Sequence, residues 1–523
     1  VTETPEVIAV AGASGFVGSA LGPVLARRFE TVGLSRRARP PGGGYGQWRA
    51  TDLFSLADAE RGLAGCDRAV YLVHSMLPTD RLARGRFEDF DLICADNFAR
   101  AASRVGVKQI IYLGGLVPSD AREGLSRHLA SRLETERTLA SHGVPVVALR
   151  AGLVIGAGGS SFVIMRQLVS RLPLMVCPAW TGTLTQPVAL ADVVRIIDRC
   201  FGHEQLAGSH DIGCPEAVTY RDMMLATAEA LGKKRRLISV PLLTIGLSRL
   251  WVSLVTGAPK ELVAPLIQSL AHPMVARDLE LQRKLGLEPT TLKAALAAAL
   301  DPNQALRTRL GPSVSSRGLS NSPLASAAEP PSLTPSARLS ASALDLGLET
   351  PASSRTELAP LSKPPSPVVR RRSRRRSALV RAVHRMHVAP GRDAVWVARE
   401  YMTWLPRTLG PILRVEIVGD RTRFYARPIA TPLLELTLSP ERSTPDRQLL
   451  YVTGGLLADL NASTRPRLEF RMLDGGTTVL AAVHDFAPSL PWPIYLTTQA
   501  LVHDWVMHRF CRHLEAASAH MGL

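Results

Sequence analysis

The sequence predicts an α/β protein over residues 1–310, built on a parallel sheet, followed by a linker and a smaller α+β region over residues 378–523. Three observations carry this expectation. Short β-branched runs alternate with helical patterns from residue 6 to about 300, which is the signature of parallel βαβ units. Residues 311–377 lose that periodicity and are rich in Ser, Pro and Ala; such a segment cannot bury enough apolar surface to offset its chain entropy and reads as a disordered linker. Beyond residue 380 patterning returns as a helix, six strands separated by turn residues, and a terminal helix. A chain of 523 residues allows two or three such domains.

The first strand, EVIAVAG, ends at Gly12 and runs into Gly12-Ala13-Ser14-Gly15-Phe16-Val17-Gly18. The first glycine suits a tight turn, the second a close backbone approach to a pyrophosphate, and the third close packing of helix on sheet. The helix expected from about Gly15 to Arg28 would aim its N-terminal N–H groups and positive dipole end at phosphates. The motif follows a strand, opens a helix and leads to a second strand, TVGLS, which is the context a Rossmann-type dinucleotide site requires. That second strand ends in Ser35-Arg36-Arg37 rather than in an acid. Paired guanidiniums suit a ribose 2′-phosphate, so NADP(H) is favoured over NAD(H). At the third strand end, Asp52 followed by Leu53 offers an acceptor for the adenine amino group, with a helix cap as the alternative role. The fourth strand, AVYLVHSM, places Val73, His74 and Ser75 at the carboxyl edge of the sheet, where cofactors lie in open α/β folds. The helix FEDFDLICADNFARAASRVG reads as amphipathic, with Phe90, Cys94 and Phe98 spaced by four; the fifth strand, QIIYLGGL, ends at Gly114 and Gly115.

Taken together, GASGFVG, YLVHSM, YLGGL, SRHLASR, GVPVVALRAGLVIGAGGSSF, LPLMVCPAW, TQPVALADV and DIGCPEAVTYRDMM make residues 6–300 resemble the atypical short-chain dehydrogenase/reductases of the NmrA-like, NAD(P)H-binding type. The resemblance implies a nicotinamide cofactor across Gly12, Gly15, Gly18, Arg36 and Asp52. It also implies a small lobe, residues 190–300, that closes over a substrate cleft. One departure matters: members of the wider superfamily carry Tyr-x-x-x-Lys and a Ser or Thr at the end of the fifth strand. Here the strand ends in two glycines, and His128-Leu-Ala-Ser-Arg132 stands at the Tyr-x-x-x-Lys position. His and Arg at i, i+4 share a helix face. A histidine with a near-neutral pKa can act as general acid, whereas arginine binds ribose or phosphate without acting as a base. His128 and Arg132 therefore read either as a modified proton-transfer pair or as a clamp in a domain without turnover. Glu134 and Glu136 read as a solvated helix face, Ser160 and Ser161 as a Gly-Ser loop with contact to a substrate oxyanion as the alternative, and Asp192 as a helix cap.

The net charge of +17 favours anionic partners, but much of it sits in Arg370–Arg372 and Arg374–Arg376 at the end of the linker. That run lacks interleaved aromatics for base stacking, so no sequence-specific nucleic acid is expected; weak contact with an anionic membrane and a protein partner stay open. The six cysteines form no C-x-x-C pair and no zinc spacing, as expected of reduced thiols in a cytoplasmic protein, and the N-terminal residues do not read as a signal peptide. The stretch Leu237–Val255 is broken by Pro241 and Arg249; it reads as a buried or pocket-lining element, peripheral membrane contact being the alternative.

In the last region, six strands wrapped on a long C-terminal helix with Val502, Val506 and Phe510 on one side resemble the helix-grip, START-like group. The resemblance implies a hydrophobic ligand cavity between sheet and helix. His503, His508 and His513 are spaced by five, about 140° apart on a helix, and form no metal site. Three functions compete: an NADP(H)-dependent reductase of a small hydrophobic or carbonyl substrate, a non-catalytic NAD(P)H-sensing or scaffold protein, and a lipid- or membrane-associated ligand-binding protein.

Overall fold

Seven parallel strands form the first sheet: Val7–Ala11 (β1), Glu30–Ser35 (β2), Gln47–Ala50 (β3), Arg68–Tyr71 (β4), Gln109–Gly115, Val146–Ala151 and Gly208–Ile212. Their spatial order is β3-β2-β1-β4 and then the last three in chain order. The order reverses between β1 and β4, which opens a crevice at their carboxyl ends; this is the Rossmann-type arrangement. The computed structural model describes residues 5–74, 83–118, 124–240, 268–270, 272–301, 379–460 and 465–519. Ser75, the linker with its arginine run, and the stretch from Pro241 to Val255 lie outside them. Among the described residues no helix is long and apolar enough to cross a membrane.

The central strands are buried on both faces because helices cover both sides, which is why they read as unbroken apolar runs. Phe16–Leu25 (α1) packs beside Leu190–Cys200, whose Val193, Ile196 and Ile197 are inaccessible. Asp192 does not cap that helix; it sits in the first turn, 3% exposed, and accepts from the Thr290 N–H (2.8 Å) and hydroxyl (2.8 Å), tying the small lobe down. The lobe has its own core around Phe162, Met165, Tyr220, Met223 and Leu296. Its strand Arg236–Ser239 pairs in parallel with Leu174–Cys177.

The second region is an antiparallel sheet with a long helix. The six expected strands are present, from Leu413–Val418 to Thr478–Phe486, and so is the first helix, Ala394–Leu409, capped by Asp393. A seventh strand, Val380–His387, escaped the sequence reading; it pairs with Thr478–Phe486. Alternation along these strands sorts their side chains onto two faces. Leu468, Phe470 and Met472 meet Tyr401, Trp404, Val506 and Phe510, the core under the terminal helix Gln499–Ala519. The aromatic rings of Tyr401, Trp404, Phe470 and Phe510 pack 5.0–5.5 Å apart in the space where a ligand cavity was expected. Val502 is exposed, not part of that core.

The opposite face belongs to the first region. Val383, Leu473, Leu480 and Ala482 join the core formed by Phe87–Val105 (α2), and thirteen of the nineteen α2 residues are buried. The expected amphipathic helix is thus covered on its acidic side too. Arg471, 1% exposed, donates to Asp96 (2.6 Å), Asn97 (2.7 Å) and Glu469 (2.7 Å). Burial alone would raise the Asp96 pKa, but Arg471, His142 and Arg100 more than reverse it. Arg385 binds Asp89 (2.7 Å) and both oxygens of Glu134 (2.6 and 2.9 Å). Glu134 and Glu136 are therefore not a solvated face: Glu136, 8% exposed, takes a bidentate pair from Arg150 (2.6 and 2.9 Å). The segment Ala83–Arg84 extends the antiparallel sheet as an eighth strand by pairing with Arg381 and Ala382. Gly85 makes this crossing feasible: its φ is +134° and a Cβ would lie 2.6 Å from the Val383 carbonyl. The described parts of the two regions form one compact unit.

Candidate active site

The glycine turn holds the shape the sequence requires. The Gly12 carbonyl accepts from the Gly15 N–H (2.9 Å), and a Cβ on Gly18 would lie 2.7 Å from the Ala13 Cα. Helix α1 has Gly15 as its N-cap and no side chain satisfying its first N–H groups, which leaves an anion site at the turn. The buried Tyr45 hydroxyl donates to the Gly18 carbonyl (2.6 Å) and pins the helix from below.

Two cavities meet at this turn and share Gly12, Gly15, Leu72 and His74. The first, about 510 Å³, runs past the end of β2 and is lined by Ser14, Arg36, Asp52, Leu53 and Val73. Arg37 is exposed and is not among its lining residues, so one of the two expected guanidiniums faces the cavity. The Asp52 carboxylate accepts from the Phe54 N–H (3.1 Å) and from Arg381 of the second region, a partner the sequence did not suggest.

The second cavity, about 390 Å³, lies on the other side of the turn and is lined by Phe16, Val17, Gly18, Gly114, His128 and Arg132. Helix Arg127–Ala140 carries the last two; its N-cap Ser126 accepts from the Leu129 N–H (3.3 Å). His128 and Arg132 thus share the face that meets the cavity. No carboxylate pairs with Arg132 among the described residues. Burial first, then the Arg132 cation, pushes the His128 pKa down to about 3; His74 is lowered to about 3 by burial, Arg132 and His128 in turn. The His128 imidazole is held neutral at pH 7, because the apolar walls and a cation one helical turn away disfavour a second charge.

The rest of the wall is apolar and was not anticipated residue by residue: Met165, Leu168, Met223, Met224 and Trp180, with Ser160 and Ser161 at the rim. Trp180 packs edge-on to Tyr220 (6.3 Å), and among the described residues its Nε1–H has no hydrogen-bond partner. The LPLMVCPAW and YRDMM runs carried the signal, since Met and Trp at helical or extended spacing line cavities as readily as they fill cores. Among the described residues no group of His, Cys, Asp or Glu is placed to hold a metal ion. His503 and His508, far apart by helical angle, nonetheless both touch His384 (ring centroids 5.3 and 6.0 Å).

No protein-family model matches the chain. It is 25% identical over 114 residues to the auxiliary protein GraX of Staphylococcus aureus (strain NCTC 8325 / PS 47), a match over 22% of this chain and 36% of that protein. The chain thus spans about a third of that curated relative. Among solved structures, the triphenylmethane reductase of Citrobacter sp. is 19% identical, with 56% of this chain and 99% of that one covered at a TM-score of 0.45. The NADPH-dependent quinone oxidoreductase QOR2 of Escherichia coli, complexed with NADPH, is 19% identical over 55% and 98% at 0.44. The UDP-N-acetylglucosamine 4-epimerase of Bacillus cereus is 17% identical over 58% and 99% at 0.42. The strand order and the reversal between β1 and β4 establish the Rossmann-type fold of the first region.

Proposed function

We propose that this chain is an NADP(H)-binding protein of the atypical short-chain dehydrogenase/reductase type that reduces a small hydrophobic carbonyl compound. The observation that carries this reading is the placement of His128 and Arg132: both line an apolar cavity that opens onto the glycine turn. The residues fit a dinucleotide, because the turn leaves no room for a Cβ at Gly18, the α1 N–H groups are uncapped, and Arg36 lines the adenosine side. Gly12, Ser14, Gly15 and Gly18 would cradle the pyrophosphate, Arg36 would take the 2′-phosphate, and Asp52 the adenine amino group. A reduced nicotinamide bound there supplies the hydride. Arg132 then serves as the cation that holds the developing alkoxide, a role for which a fixed charge in an apolar cavity is well suited. The Trp180 Nε1–H is a second donor for the same oxygen. Neutral His128 orients the carbonyl by hydrogen bonding, and the proton comes from water entering through the cleft.

Fluorescence titration with NADPH and a stopped-flow search for NADPH oxidation over a panel of apolar aldehydes, ketones and quinones test this. Arg132→Ala should lower any turnover by roughly 10²–10³-fold, the usual effect of losing one oxyanion donor. A panel with no turnover, in a protein that binds NADPH, would replace this reading with the second one: a sensor that binds NADP(H) without chemistry. The specific observation favouring that second reading is the absence of Tyr-x-x-x-Lys together with a histidine held neutral.

A further inference from the structure

The adenosine-side cavity has a wall from the far end of the chain. Arg381 stands on the first strand of the second region, on the face that also carries Val383 and Arg385 toward the first region. Its Nε and Nη2 donate to Asp485 (3.0 and 2.7 Å) and its Nη2 to Asp52. The guanidinium lies 5.1 Å over the Phe54 ring. Two carboxylates and a ring face fix this side chain before any ligand arrives, and among the described residues its Nη1 donors make no hydrogen bond. Arg381 lines the cavity together with Leu379, Arg36, Asp52 and Phe90.

We propose that Arg381 is a cofactor contact, and that Asp52 and Arg381 together read the edge of the adenine ring. The proposal rests on the cleft being the dinucleotide site argued above. Adenine presents an amino donor beside a ring-nitrogen acceptor. Asp52 supplies an acceptor, and the unspent Nη1–H of Arg381, held by the same carboxylate, supplies the adjacent donor. On the edge formed by the 6-substituent and N7, a base with a carbonyl in place of the amino group, hypoxanthine for example, sets two acceptors, O6 and N7, against that pair and leaves a carboxylate lone pair opposed. The second region is thereby part of the cofactor site.

The test is calorimetric titration of the full chain with NADPH and with its hypoxanthine analogue. The unsubstituted protein should prefer the adenine cofactor by about tenfold, the worth of one good hydrogen-bonded contact. Arg381→Ala, and Arg381→Lys in case the alanine variant folds poorly, should weaken NADPH by about tenfold and narrow the preference over hypoxanthine. Arg385→Ala, which removes an ion pair between the same two regions away from the cavity, should leave NADPH affinity within twofold. The proposal is overturned if both Arg381 variants bind NADPH within twofold of the original, or if Arg385→Ala weakens NADPH as much as they do. If the unsubstituted chain binds neither NADPH nor NADH, the dinucleotide reading falls and takes this one with it.

Discussion

Two faces of one antiparallel sheet are buried by different chemistry. Toward its own helix the sheet presents Leu468, Phe470 and Met472; toward the Rossmann-type region it presents Glu469, Arg471 and Leu473. Neighbouring residues on one strand therefore enter an apolar core and an ionic seam. The apolar face gains stability in proportion to area removed from water and tolerates changes that conserve volume. The ionic face gains little net stability per pair but depends on every partner being present, since a buried charge left alone is costly. One face supplies cohesion and the other makes docking selective.

The sharpest way to break that contrast is to substitute both neighbours. Arg471→Met should cost about 3–5 kcal/mol in urea unfolding, because Asp96 and Glu469 would lose their shared cation. Phe470→Ala should cost a similar amount, about 3–5 kcal/mol, through the cavity it leaves. Adding Asp96→Leu and Glu469→Leu to Arg471→Met should recover little of the first loss, because buried Arg447 then loses Glu469 and Arg100 loses Asp96. If the triple variant regains the original stability, the seam is not governed by charge pairing.

Acid should act on both faces of the sheet, because His484 lies against the seam while His384 and His503 meet under the terminal helix. His384, His484 and His503 have pKa values lowered to about 4, in each case chiefly by burial. Their unfolded forms titrate near 6.5, so between about pH 6.5 and 4 the unfolded chain binds protons that the folded chain refuses. Stability is complete above that window and falls as pH is lowered through it, by up to roughly 1.4 kcal/mol per pH unit for each histidine. Asp96 and Glu469, held below the ordinary carboxylate range, extend the loss to lower pH. Unfolding midpoints measured from pH 8 to 4 should show it; a flat profile would count against the burial of these rings. Turnover, where found, should show no inflection near pH 6.5, because His128 and His74 titrate near 3.

At the cleft, Gly18→Ala should weaken NADPH at least tenfold with a smaller change in unfolding, as the added methyl forces the turn open. The least effect is expected at the rim of the seam. Arg100 pairs with Asp446 (2.6 Å), whose side chain is 45% exposed, and Asp446→Asn should change stability by less than about 1 kcal/mol.

How far the sequence discloses these features follows the same contrast. The parallel sheet and the glycine turn are legible because period and turn chemistry are local properties of the chain. The six strands after residue 412 are legible for the same reason. Strand Val380–His387 is not: Arg381, His384 and Arg385 break its apolar alternation, and they make sense only once Asp52, Asp89 and Glu134 are known to face the arginines and His503 to face His384. Glu134 and Asp192 were misplaced for the mirror reason, since a carboxylate on a helix looks solvated until its distant partner is seen. His128 and Arg132 were found by spacing, but the low pKa of His128 comes from the shape of the cavity around it.

The ionic seam also bears on synthesis. Asp96 and Arg471 are 375 residues apart, so a ribosome adding about 5–20 residues per second exposes the acidic side of α2 for roughly 20–75 s before its arginine emerges. Carboxylates waiting in water are well hydrated and repel one another between chains. An apolar patch of that size, left open for so long, would invite aggregation of nascent chains; writing the late-closing joint in charge keeps the unfinished protein dispersed until the last strands arrive.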